Sequence, residues 1–156
     1  MVSNSTIERN KVTVRKLFEE VINTGRLDLC ARYLAGDRVD HQDYGTPPGS
    51  ANGHDGFQRT LGGFLEGFPD LHLTIDFIVA DEHRLAAHVT TEGTHTGSFM
   101  GAPATGKRFR VTGTDIFAFN DDGLVSEHWG AFNTLGMLTQ LGLMPPAQPY
   151  PDGTTG

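Results

Sequence analysis

No internal disulfide can form in this chain, because Cys30 is its only cysteine, and a reducing cytoplasm suits such a sequence. Cys30 falls in a stretch of helical pattern, where a buried thiol acts as core filler. Basic residues are scarce: 12 Lys and Arg stand against 19 Asp and Glu, for a formal net charge of −7. They are scattered, with a minor pair at Lys107 and Arg108, which disfavours a nucleic-acid partner and attachment to a membrane surface. No apolar run approaches the roughly 20 residues that cross a bilayer. The opening residues lack the basic and apolar regions of a secretory leader, so a cytoplasmic protein is expected. Walker, G-x-G-x-x-G and G-x-S-x-G signatures are missing, so no nucleotide cofactor is expected. No two histidines stand in an H-x-H or H-x-x-x-H pair and no second cysteine joins Cys30, so no metal site is expected either.

What remains is an ordinary globular composition, 37% hydrophobic and 20% charged over 156 residues, enough for one domain and its own core. We expect that domain to span residues 1–144, followed by an extended Pro- and Gly-rich tail at 145–156. Ser5-Thr6-Ile7-Glu8 has the form of a capping box. Beyond it Val14, Leu17, Phe18, Val21 and Ile22 recur at helical spacing as far as Gly25. A second short helix is predicted from Leu27 to Leu34, closed by Gly36, and a short strand from Val39 to Tyr44 carrying His41. Gly45 to Gly53 reads as a loop. A third helix runs from His54 to Gly67, with Phe57, Leu61 and Phe64 on its apolar side, and Pro69 stops it.

From there the period changes to alternation. Leu71, Leu73, Ile75, Phe77 and Val79 predict one face of a half-buried strand. Further strands follow from Leu85 towards His95, from Phe109 to Phe119 and from Leu124 to Phe132, the last two joined by the turn Asn120-Asp121-Asp122-Gly123. A final helix is predicted at Asn133 to Leu141. Helices first and consecutive strands after give an α+β class. A curved antiparallel sheet covered by the early helices leaves a cavity between the two layers.

Parity sharpens this. Phe109, Val111, Gly113, Asp115, Phe117 and Phe119 share one strand face. A carboxylate among such apolar neighbours is costly unless paired or protonated, so Asp115 is expected to titrate above the ordinary carboxylate range, suited to acid–base work. The alternative is a structural Asp bonded to a neighbouring hydroxyl or amide. His95 and His128 lie on strands from which either could reach Asp115. Phe99 and Met100 form an apolar loop tip, which has no reason to be apolar unless it covers something. Trp129 lies on the opposite parity to His128, as a dimer-face anchor or a core filler.

Several runs together resemble the SnoaL-like polyketide cyclase family: Gly67-Phe68-Pro69-Asp70-Leu71, Gly93-Thr94-His95-Thr96-Gly97-Ser98-Phe99-Met100-Gly101, Gly113-Thr114-Asp115-Ile116-Phe117 and Glu127-His128-Trp129-Gly130-Ala131-Phe132-Asn133. The resemblance covers about Ile7 to Leu141. It implies a nuclear transport factor 2-like cone of antiparallel sheet closed by N-terminal helices, a homodimer or higher homo-oligomer, and cofactor-free aldol ring closure of an aromatic polyketide. Asp115 would be the general acid/base, with an imidazole partner among His41, His95 and His128. The candidate site residues are thus Asp115, His95 and His128 for catalysis, and His41, Phe64, Phe99, Met100 and Trp129 for an apolar aromatic substrate. The same resemblance leaves room for a cofactor-independent hydroxylase or isomerase, or a ligand-binding domain without turnover.

Overall fold

The computed structural model describes residues 4–146 and 148, so the predicted tail falls largely outside the described residues. The first helix, α1 (Asn4–Lys16), continues as a π-helical segment, Leu17–Ile22. It is already helical at Ser5, so the predicted capping box lies within the helix instead of at its start; Glu8 pairs with Lys11 at 2.8 Å. The wider π turn lets Leu17, Phe18, Val21 and Ile22 all bury against the sheet. Gly25, at φ 70°, ends this run.

A 3-10 turn (Leu27–Arg32) replaces the predicted second helix, and strand β1 (Leu34–Asp40) follows at once. Gly36 therefore lies inside a strand, and the strand ends before His41. The helix α2 (Gly53–Gly67) and the strands β2 (His72–Ala80), β3 (Arg84–Thr94), β4 (Arg108–Phe119) and β5 (Val125–Phe132) fall close to the expected positions. The short α3 (Thr134–Gln140) is capped by the Asn133 side chain, which accepts the Gly136 N–H.

The five strands form one sheet in the order β1-β5-β4-β3-β2. β2 to β5 make an antiparallel meander, as expected, and β1 adds to β5 in parallel, so the sheet is mixed. One predicted face is broken. In β2 the register shifts between Ile75 and Phe77, leaving Asp76 as an extra residue. Beyond this bulge the parity inverts: Ile78 and Ala80 turn to the core, while Phe77 is 58% exposed and stacks on His88.

The sheet curls around two apolar clusters. One joins α1 and its π segment to β3 and β4 through Val14, Phe18, Val21, Leu85, Val89 and Phe117. The other gathers Phe68, Phe99, Phe109, Met137 and Leu141 near the far end. Removing a buried side chain of this size costs about 3–5 kcal/mol for Phe→Ala, so the clusters fix the curl that leaves a hollow between sheet and helices.

Candidate active site

Alternation on β1 turns Arg38 and Asp40 towards the inside of the curl and leaves Val39 outside. Their side chains are only 4% and 3% exposed and form an ion pair. A buried pair of this kind is tolerated only when its remaining hydrogen-bond capacity is filled. Here both members have further partners: Arg38 donates to the Ala51 carbonyl at 3.1 Å and lies over the Phe57 ring, while Asp40 accepts the Gln42 N–H at 3.0 Å and the Tyr44 hydroxyl at 3.3 Å.

The parallel pairing of β1 with β5 sets Asp40 opposite His128. The His128 ring meets a carboxylate at each nitrogen: Nδ1 lies 3.0 Å from Asp40 Oδ1, and Nε2 lies 3.0 Å from Asp115 Oδ1. Both nitrogens can donate at once only in the imidazolium form. Burial opposes that charge, but the hydrogen bonds and charges of Asp115 and Asp40 outweigh it and push His128 up to about 9. Burial would likewise raise the Asp40 carboxyl. The hydrogen bond and charge of His128, with the charge of Arg38, hold it below its ordinary value instead. Burial, and then the Asp40 charge, push the Tyr44 hydroxyl up, so it keeps its proton. The result is a line of alternating charge, Arg38–Asp40–His128–Asp115, whose last member has its side chain 22% exposed.

Asp115 ends that line on the wall of a cavity of about 140 Å³. Leu17, Phe18, Ile22, Phe57, Leu61, Phe64 and Val89 provide most of its apolar lining, with Tyr44 and Gln42 beside the carboxylate. Across the strand pair from Asp115 stands Gly130, and a Cβ there would come within 1.8 Å of Gln42 Oε1 and 3.1 Å of the His128 ring. The missing side chain gives Gln42 its place. Oδ1 of Asp115 is committed to His128, and Oδ2 carries no hydrogen bond from the described residues. Such a site can take a proton from a ligand and return it, in water-poor surroundings, while a fixed cation holds the carboxylate in position.

The other residues singled out from sequence lie in three different places. His95 sits just beyond β3 in the second cluster, against Phe68 and Phe99, with Nδ1 3.1 Å from the Thr105 hydroxyl and Nε2 buried without a partner among the described residues. It does not approach Asp115: the register of β3 on β4 pairs Asp115 with Ala87, and Thr94, next to His95, with Arg108. His41 and Trp129 lie on the outer face, stacked on each other at 4.6 Å, with His41 bonded to Glu127 and Arg84 over Trp129. Trp129 is paired with Ile116, one residue on from Asp115, so both point away from the cavity. Phe64 lines the cavity, while Phe99 and Met100 line an outer chamber next to it. Arg38, Asp40 and Tyr44 were not anticipated. The one signal was the Arg38-Val39-Asp40 alternation, legible only once β1 is known to start at Leu34. Among the described residues no group of three or more His, Cys, Asp or Glu is arranged to hold a metal, and no helix is long and apolar enough to cross a membrane.

The family model for SnoaL-like polyketide cyclases matches residues 12–141. No curated protein matches the chain significantly. Among solved structures, IdmH of Streptomyces antibioticus, a candidate polyketide cyclase, is 31% identical, covering 85% of this chain and 98% of that one with a TM-score of 0.74. AclR of Streptomyces galilaeus, a candidate hydroxylase, is 27% identical over 91% of this chain and 86% of its own, with a TM-score of 0.77. A candidate SnoaL-like polyketide cyclase from a Jannaschia species shares the fold at a TM-score of 0.80, with 20% identity, 93% of this chain and 99% of that one covered.

Proposed function

The chain belongs to the SnoaL-like polyketide cyclase family, and from that premise we propose that it closes a ring in an aromatic polyketide by cofactor-free intramolecular aldol condensation. The observation that carries this reading is the Asp115 carboxylate on the wall of an apolar cavity, held by a hydrogen bond from a buried His128.

In the proposed reaction, Asp115 Oδ2 takes a proton from an activated methylene of the substrate. The resulting carbanion forms a C–C bond to a carbonyl carbon of the same molecule, and the carbonyl π pair moves onto its oxygen. That oxygen then takes the proton back from Asp115. Atoms and electrons balance without any co-reactant, and the product is an isomer of the substrate. The methylene lies between electron-withdrawing groups, so a carboxylate is a strong enough base, and general acid–base catalysis of this kind contributes about 10²–10⁴-fold. Holding both carbon centres within one apolar cavity supplies the proximity contribution. His128 acts as a positioning residue: its charge is fixed by Asp40, so the mobile proton stays on Asp115. The test is incubation with an aromatic polyketide bearing an activated methylene and a neighbouring carbonyl. The reading expects a cyclised product of unchanged mass with no dioxygen consumed.

A second reading, oxygenation of an aromatic substrate, is favoured by the likeness to AclR. There the same carboxylate would take a proton from a ring methylene flanked by aromatic rings, and dioxygen would be the oxidant: one oxygen becomes a carbonyl at that carbon, and the other leaves as water with the two methylene hydrogens. Dioxygen uptake and a gain in product mass would select it over ring closure.

A further inference from the structure

A second space adjoins the inner cavity. Tyr44, Thr60, Phe64 and Phe132 are walls common to it and to an outer chamber of about 530 Å³. The floor of that chamber is apolar, made by Phe64, Phe99, Phe132 and Met137, whereas Thr46, Arg59 and Thr134 give it a polar rim. Arg59 is the one cation of the lining, and its guanidinium makes no ion pair with the described residues. Nη1 donates to the Ser50 carbonyl at 3.0 Å, which anchors the head and leaves the other N–H donors of the fork for a ligand. Asp43, the lining's other charged group, is turned back on its own loop, accepting the Gly45 N–H at 2.8 Å.

Met100 adds an independent mark. It lies in a tight turn closed by paired hydrogen bonds between Phe99 and Ala102, and its φ of 50° puts it in the left-handed region that favours glycine. No other described residue apart from glycine has a positive φ. The turn thus holds a long apolar side chain, 71% exposed, at the lip of a chamber with an aromatic floor. A left-handed backbone that holds a long apolar side chain exposed is strain of the kind kept at ligand clamps.

We propose that the outer chamber is a binding subsite for the distal rings of a planar aromatic carboxylic acid, with its carboxylate on Arg59 and its rings beneath Met100. The protein therefore takes the free acid in preference to the ester. This inference rests on the reading of the inner cavity as the reacting site and adds the substrate class that this site receives. A guanidinium fork matches a carboxylate in two parallel hydrogen bonds, which an ester cannot reciprocate.

Binding of non-reacting probes separates this proposal from the catalytic one. Anthraquinone-2-carboxylate and its methyl ester are titrated calorimetrically into the full chain and into Arg59→Gln, Arg59→Lys, Met100→Gly and Asp115→Asn. The expected result is an acid bound about tenfold more tightly than its ester. Arg59→Gln abolishes that preference by weakening the acid alone, and Arg59→Lys keeps part of it. Met100→Gly weakens both probes alike, and Asp115→Asn leaves the preference intact. Equal affinity for acid and ester in the unaltered chain, failure of both to bind, or a preference that survives Arg59→Gln would overturn the proposal. Unchanged affinities in Met100→Gly would overturn the covering role of that residue. Loss of turnover without any change in probe affinity would bear on the catalytic reading alone.

Discussion

His128 Nδ1 lies 3.0 Å from Asp40 Oδ1, on the edge of the ring turned away from Asp115. That contact makes the histidine a fixed cation, because its proton on Nδ1 is held by a carboxylate whose side chain is only 3% exposed. Asp40 is in turn held by Arg38. In the proposed reaction the proton that moves is carried by the carboxylate on the cavity wall, at the end of this line of four groups.

Asp40→Asn should release the imidazole. With one carboxylate neutralised and burial still opposing the charge, His128 should titrate well below the value of about 9 that the intact pair of carboxylates gives it. Imidazole NMR titration of both proteins, without any ligand, reads this directly. An unchanged midpoint would show that Asp40 does not set the charge of His128.

Arg38→Met removes one partner of a buried ion pair and should lower the stability of the fold by about 3–5 kcal/mol. Denaturant unfolding measures it. A double variant, Arg38→Met with Asp40→Leu, should not recover that loss, because removing Asp40 also takes one of its two carboxylates from the buried His128.

Stability should also depend on pH with a definite sign. His128 is raised in the folded chain from 6.5 to about 9. Its contribution is therefore complete below pH 6.5, declines between 6.5 and about 9, and is lost above that; a gap of this size corresponds to about 3 kcal/mol. Asp40 is lowered from 3.8, so its contribution is present above that value and is lost as the pH falls further. Thermal unfolding across this range should show its highest melting temperature between about pH 4 and 6.5, within the window bounded by those two groups. A melting temperature that rises from pH 6.5 to 9 would contradict the charge assigned to His128.

Gly130→Ala tests how the carboxylate is flanked. The added Cβ meets Gln42 Oε1 at 1.8 Å, the end of a flexible side chain, so the fold should survive with a loss of about 1–3 kcal/mol. Gln42 must leave its place beside Asp115 and the His128 ring, 3.1 Å from the added Cβ, must give slightly, so ligand affinity should fall.

Much of the architecture could be read before the structure. Period-2 runs located β2 to β5, the Asn120–Gly123 turn joined the last hairpin, and the parity of β4 put Asp115 with Phe109, Val111 and Phe117. The misses share a cause: local pattern does not report register. Gly36 reads as a helix stop, yet β5 supplies a parallel partner that makes the segment a strand. Asp76 looks like one polar residue among several, yet as a bulge it inverts the faces of Phe77 and Val79. His95 is inward as its parity predicts, but the register sets Ala87, eight residues back, opposite Asp115. Arg38 and Asp40 were hidden for the same reason as β1, since two residues share a face only once the strand carrying both is known.

The central claim is that Asp115 carries the proton. The most direct measurement is the single-turnover rate of ring closure in Asp115→Asn, set beside the affinity of the same protein for a non-reacting aromatic acid. The amide keeps the shape and the place of the carboxylate, so affinity should hold within about threefold while the rate falls by about 10²–10⁴-fold. A rate close to that of the unaltered protein, at unchanged affinity, would contradict it.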